Sequence, residues 1–222
     1  MNRNARWLTG LAALLMFAAF AFPLWHIRLL APQYPEGLGL LIHVNTVTGV
    51  SETDLANINS LNHYIGMKAI DPAAIPVLRI MPWILGALAA TGLMVAFAGR
   101  RRLLVAWLGG FLALAVVGLV EFWRWEYDYG HNLDLEQAII KVPGMTYQPP
   151  LIGSKQLLNF TAISMPTTGA ILLGIAFLLG LVAVVLSVRA ARATPAARVT
   201  QGPTDGVPFR GARAELEPLG GR

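Results

Sequence analysis

The sequence predicts an all-α membrane protein: a four-transmembrane-helix bundle with two ordered extracytoplasmic loop segments that contain a short helix and a short strand. Three observations carry that reading. Of the 222 residues 55% are hydrophobic and only 13% are charged. The apolar residues gather in four long blocks, unlike the spaced pattern of a soluble domain, and arginines cluster at matching ends of those blocks. A bilayer core about 30 Å thick needs about 20 helical residues at about 1.5 Å each. Residues 7–25, 80–98, 103–122 and 168–188 meet that length; none holds an internal Lys or Arg, and the single acid, Glu121, sits at the end of the third.

Orientation follows from the basic residues, because short loops rich in Lys and Arg stay on the cytoplasmic side. Arg3 and Arg6 lie in residues 1–6, Arg100, Arg101 and Arg102 fill the turn 99–102, and Arg189, Arg192 and Arg198 open the tail 189–222. Both termini are therefore expected in the cytoplasm, with segments 26–79 and 123–167 outside. The inner regions carry eleven Arg against Asp205, Glu215 and Glu217, whereas residues 28–155 outside the inner turn carry six basic and nine acidic side chains. The net charge of +5 thus records topology, and no nucleic-acid partner is expected. Trp25, Trp83, Trp123 and Trp125 mark the outer headgroup zone and Trp7 the inner one. A cleavable leader ending near Ala19-Phe20-Ala21 competes for the first span, but its apolar run exceeds the usual core of about 7–15 residues.

Segment 26–79 opens with Pro32, Pro35, Gly37 and Gly39 and continues into a β-branched stretch, 40–49, that reads as a short strand. Ser51 stands three residues before Asp54, a capping-box-like start. Leu55, Ile58, Leu61 and Ile65 then recur at helical spacing, so an amphipathic helix should end near Gly66 to Lys68, with Asn59, His63 and Met67 on its other face. Segment 123–167 follows the polar and aromatic run 121–132, in which Glu121 and Arg124 can pair at the membrane edge. Pro143-Gly144, Pro149-Pro150 and Gly153 predict a loop with at most short helices. The tail 189–222, rich in Ala, Arg, Pro and Gly, reads as disordered.

The absence of cysteine excludes thiolate clusters, iron–sulfur centres and covalently attached haem. No span contains a His, so an intramembrane haem has no axial ligands and none is expected. All four His and all five Tyr fall in the outer segments. Imidazole and thioether suit copper(I) without any thiol. His63 and Met67, four apart on one helix, form the nucleus of a candidate copper site that His43, His131 or Met145 could complete. For each of these residues packing or a local hydrogen bond is the plainer role. Tyr127, Tyr129 and Asn132 form a candidate docking face. An enzyme with an outer-face site is a third option, but no nucleophile elbow or zinc-protease motif is present. Transport by this chain alone is disfavoured because the middles of the spans offer only small residues and Thr, which suit close helix packing or other membrane subunits.

The runs 31–38, 59–68, 126–132 and 141–160 resemble an uncharacterised family of four-span bacterial membrane proteins associated with gene clusters for maturing nitrous oxide reductase, a periplasmic copper enzyme. The resemblance covers both outer segments and the four-span frame, without the tail. It implies a cytoplasmic-membrane accessory protein that binds copper or docks a periplasmic cuproprotein; the alternative is a metal-free membrane scaffold.

Overall fold

The structure is a computed structural model that describes residues 1–142 and 144–193. Four of its five helices are long and apolar enough to cross a membrane: α1 (Arg3–Ala18, continued by a 3-10 turn, Ala19–Ala21), α3 (Pro76–Ala98), α4 (Arg101–His131) and α5 (Thr168–Ala193). The fifth, α2 (Asp54–Tyr64), is the amphipathic helix expected in the first outer segment. Five strands accompany them: β1 (Trp25–Ala31), β2 (Tyr34–Ile42), β3 (Val47–Gly49), β4 (Gly153–Leu157) and β5 (Phe160–Pro166). They form one antiparallel sheet in the order β3-β2-β1-β5-β4. The chain is therefore not purely α-helical: the expectation of one short strand is corrected to a five-stranded sheet built from both outer segments.

The three arginine-bearing ends meet at one end of the bundle. Arg6 of α1 donates from Nε to the Ala96 carbonyl and from Nη2 to that of Phe97, both at 2.9 Å, satisfying carbonyls that the end of α3 leaves free. Gly99 then turns the chain into α4 at φ +62°, a conformation that suits glycine. Within the bundle α1 lies between α3 and α5. Its buried side is small, with Ala5, Thr9, Ala12, Ala13 and Met16, which permits close approach. The Trp107 indole of α4 packs over Gly92 of α3 and donates to the Leu88 carbonyl at 2.8 Å, pairing a polar group that lipid could not satisfy.

At the other end, α1 and α5 lead straight into the sheet. Residue Trp25 starts β1 where the sequence reading still has the first span, and β1 pairs with β5, the strand that enters α5. The junction is closed by backbone bonds of 2.9 Å from Thr167 N to Leu24 O and from Gly169 N to Pro23 O. A Cβ on Gly169 would stand 2.7 Å from that Pro23 oxygen, so only glycine allows the approach.

Helix α4 is the largest departure from the expected boundaries. Its 31 residues would extend about 46 Å at the usual rise, well beyond what a bilayer core requires. Its last nine residues, which the sequence reading assigns to a loop, stand alongside the sheet. Helix α5 likewise runs to Ala193, past the expected end at 188; the rest of the expected disordered tail, 194–222, lies outside the described residues. The last turn of α4 is clamped by the second outer segment: Tyr147 N donates to Gly130 O at 2.9 Å, and a Cβ at Gly130 would collide with the backbone of Gln148. Gly130→Val is expected to cost about 1–3 kcal/mol by overpacking, read as a lower melting temperature in detergent. An unchanged melting temperature would show that this clamp gives way freely.

Candidate functional site

Strand alternation sends Ile27 and Leu29 of β1 and Leu38 and Leu40 of β2 to one face of the sheet. Helix α2 covers part of that face through Ile58, Leu61 and Ile65. It is anchored at its start by Asp54, whose carboxylate accepts from Gly39 N at 2.9 Å and from the Ser51 hydroxyl. These hydrogen bonds outweigh the effect of burial and hold its pKa below the ordinary value. The extension of α4 covers the rest, because Phe122, Trp125, Glu126 and Tyr129 recur at helical spacing on one side. Trp25 of β1, Phe122, Trp125 and Tyr129 form a chain of ring contacts, with centroid separations of 5.3, 6.2 and 4.7 Å.

Sheet, α2 and α4 enclose a cavity of about 510 Å³, within the range of small-molecule sites. Its wall is apolar and aromatic, with Tyr34, Tyr64, Trp125, Tyr129, Tyr147 and Phe160. Exposed lining residues at Gln33, Tyr64, Ile140 and Leu158-Asn159 mark its mouth. Leu158, in the two-residue β4–β5 turn, has φ +54°, a left-handed conformation unusual for leucine.

The chemistry of the cavity centres on Glu126. Its side chain is fully buried, and neither carboxylate oxygen has a hydrogen-bond partner among the described residues. Burial pushes its pKa from 4.5 to about 8, so the empty site holds a neutral acid at pH 7. The Tyr147 hydroxyl is likewise buried without a partner, and desolvation raises its pKa. The Trp125 indole N–H acts on the Tyr129 hydroxyl without making a hydrogen bond of good geometry. Buried polar groups are normally paired, and each one left bare costs about 1–3 kcal/mol.

The residues singled out in the sequence are divided between different surroundings. The ends of the two outer segments do meet: Asp134 N donates to Gly66 O at 2.7 Å, and Ile139 N and Ile140 N both donate to Tyr64 O. His63 is exposed at this corner, whereas Met67 lines the cavity; α2 ends at Tyr64 and Gly66 turns the chain at φ +76°, so the helix face the two were expected to share is not formed. The Asn face expected beside them is spent on local backbone: Asn59 bonds both ways with Ile70, and Asn62 donates to Lys68 O. His131 stacks on Tyr127 with centroids 3.9 Å apart and has Nδ1 3.1 Å from the Tyr127 carbonyl. His43 belongs elsewhere, at the bundle end of β2, with Nε2 3.5 Å from the Thr48 hydroxyl. It lines a larger apolar groove, about 1030 Å³, between the helices below. Met145 has its backbone N–H on Val142 O. No group of three or more His, Asp or Glu converges to hold a metal among the described residues.

Of the docking candidates, Tyr127 is exposed, Tyr129 points into the domain and donates to Ala69 O at 3.3 Å, and Asn132 donates to Asp128. Asp128 also pairs with Lys68 at 2.8 Å, and these contacts lower its pKa. Glu121 and Arg124 form the expected pair at 3.0 Å. Glu126 is not among the residues the sequence singles out; its spacing with Phe122, Trp125 and Tyr129 is the signal that it faces inward. No family model matches the chain, and no curated protein matches it.

The raised pKa of Glu126 gives stability a definite pH dependence. The folded protein holds this proton from pH 4.5 to about 8 while the unfolded chain releases it, so stability falls as pH rises through that window. Melting temperatures at pH 5 and pH 8 should differ more in the wild type than in Glu126→Gln. Equal slopes would mean that the carboxyl is not held neutral.

Proposed function

We propose that the chain is a multi-pass membrane protein that binds a small organic ligand in a domain outside the membrane. The arginine-rich end of the bundle favours a cytoplasmic location for both termini, which puts the sheet and its cavity on the outer face. The observation that carries the reading is the buried Glu126 carboxyl, without a partner among the described residues, in the wall of an apolar, aromatic cavity of small-molecule size. A packed structural core would not leave an acid and a phenol unpaired, since each lowers stability. A binding site gains from the same arrangement, because a ligand supplies the missing partners and the apolar wall supplies affinity. The lining offers no nucleophile paired with a base, so binding fits better than catalysis.

The test uses ligand-observed NMR with a panel of small charged and neutral organic solutes. Ala162 of β5 is fully buried and lines the cavity, so Ala162→Phe fills it. At least one solute should bind the wild type and not the filled variant, with both proteins melting cooperatively. Binding of every solute equally to both proteins would overturn the reading.

A second reading rests on the corner where the outer segments meet. His63, on the last turn of α2, and Met67, three residues past the end of that helix, offer nitrogen and sulfur there, beside exposed Tyr64, Leu135, Ile139 and Ile140. An apolar patch next to soft ligands suits a cuproprotein partner that delivers or takes copper(I). Copper(I) uptake by the wild type that is lost in His63→Ala/Met67→Ala supports this reading. Equal and negligible uptake by both ends it.

A further inference from the structure

The cavity also says something about the charge of what it holds. Apart from tyrosines, Glu126 is the one ionisable side chain that lines it among the described residues, which place no Lys, Arg or His in its wall. The acids and bases nearby are turned away or committed. Lys68 and Asp128 pair with each other outside, and His63 and His131, at the ends of α2 and α4, do not line the cavity. The other titratable groups that line the cavity are tyrosines: Tyr34 from β2, Tyr64 from α2, Tyr129 from α4 and Tyr147 from the segment before β4. Any counter-charge for the carboxylate must therefore come from the ligand. The aromatic residues of the wall favour the same sign, since ring faces carry negative potential and attract cations. A metal ion fits the lining poorly, because Glu126 is its single carboxylate, no His lines it, and no group of three or more His, Asp or Glu converges among the described residues.

Resting on the reading of this cavity as a ligand site, we propose that its ligand carries an organic ammonium group, seated on the Glu126 carboxylate within the aromatic wall formed by Trp125, Tyr129 and Tyr147. Binding exchanges one cation for another. The carboxylic acid of the empty site gives its proton to solvent as the ammonium enters, and charge in the cavity stays balanced. Affinity for a quaternary ammonium should therefore rise with pH while the free acid is protonated, approaching tenfold per unit between pH 6 and 7.5, and level off above pH 8. Tyr129 and Tyr147, both raised above their ordinary value, do not titrate in that window.

The ammonium could belong to a free solute or to an amine-bearing lipid headgroup, and the experiment separates the two. Choline and its neutral carbon isostere, 3,3-dimethylbutan-1-ol, are titrated by calorimetry into the full-length protein in detergent. Wild type, Glu126→Gln, Tyr147→Phe and Ala162→Phe are compared. The expected result is choline binding at least tenfold tighter than the alcohol, weakened at least tenfold by Glu126→Gln and less by Tyr147→Phe, and abolished by Ala162→Phe. Proton release near one per choline at pH 7, measured in two buffers, completes the signature. The choline titration is then repeated in nanodiscs. Weaker apparent affinity in phosphatidylethanolamine than in an uncharged, amine-free glycolipid assigns the ammonium to a lipid headgroup, and equal affinity assigns it to a free solute. An alcohol that binds as tightly as choline, with both lost in Ala162→Phe, overturns the ammonium proposal and leaves the cavity reading standing. No choline binding by the wild type also overturns it, whereas choline binding unaffected by Ala162→Phe counts against the cavity itself.

Discussion

The structure depends on the way two membrane helices become two paired strands. Helices α1 and α5 pack against each other, and each passes within a few residues into a strand of the same antiparallel pair, β1 and β5. Backbone polar groups that leave a helix near lipid must find partners at once. Here they find each other, through Thr167 on Leu24 and Gly169 on Pro23. The remaining strands then add outward, β2 and β3 on one side and β4 on the other. The sheet is fixed at the end of the bundle by its central pair, which sets the position of its inner face.

That placement explains why α4 is longer than a bilayer core requires. A sheet standing on α1 and α5 exposes an apolar face, and α2 alone covers only part of it. Continuing α4 for two and a half more turns closes the space with Trp125 and Tyr129 and carries Glu126 into it. The clamp at Gly130 holds that extension against the second outer segment. The helix that completes the cavity is thus also one of the spanning helices, and the ring contacts from Trp25 through Phe122 to Tyr129 join membrane and domain in one packed unit.

The spans were legible because hydrophobic length is a one-dimensional property, and the arginine ends met as expected. Helix α2 was legible from its 3–4 spacing. The sheet was not. In β1 and β2 the strand signal is broken by Pro35 and by Gly37, whose φ of +84° serves an irregularity where the register with β1 shifts. Trp25 looked like the rim of a span because a tryptophan opening a strand and one ending a helix carry the same local signature. β4 and β5 turn on Leu158-Asn159, which lacks the glycine that announces a hairpin. The candidate site was missed for a related reason. Residues 121–132 were read as polar composition, although their order along a continuing helix separates an inner row, Trp125, Glu126 and Tyr129, from an outer one, Tyr127, Asp128, His131 and Asn132. Composition placed the histidines and tyrosines outside the membrane; pairing across the sheet decided which of them share a space.

The unpaired acid remains the feature that packing alone does not explain. A glutamine at the same position would avoid the ionisation cost, and a leucine would avoid burying a polar group at all. Surrounding helices and strands carry several cations, Arg28, Lys68 and Arg124 among them, yet each is engaged elsewhere: on Glu36 O, on Asp128 and on Glu121. The fold thus engages these cations, and its other buried carboxylate, Asp54, has partners in Gly39 and Ser51, while Glu126 has none among the described residues. Strain of that kind persists where a bound molecule relieves it, so the deficit at Glu126 is best understood as half of an interaction whose other half enters from outside.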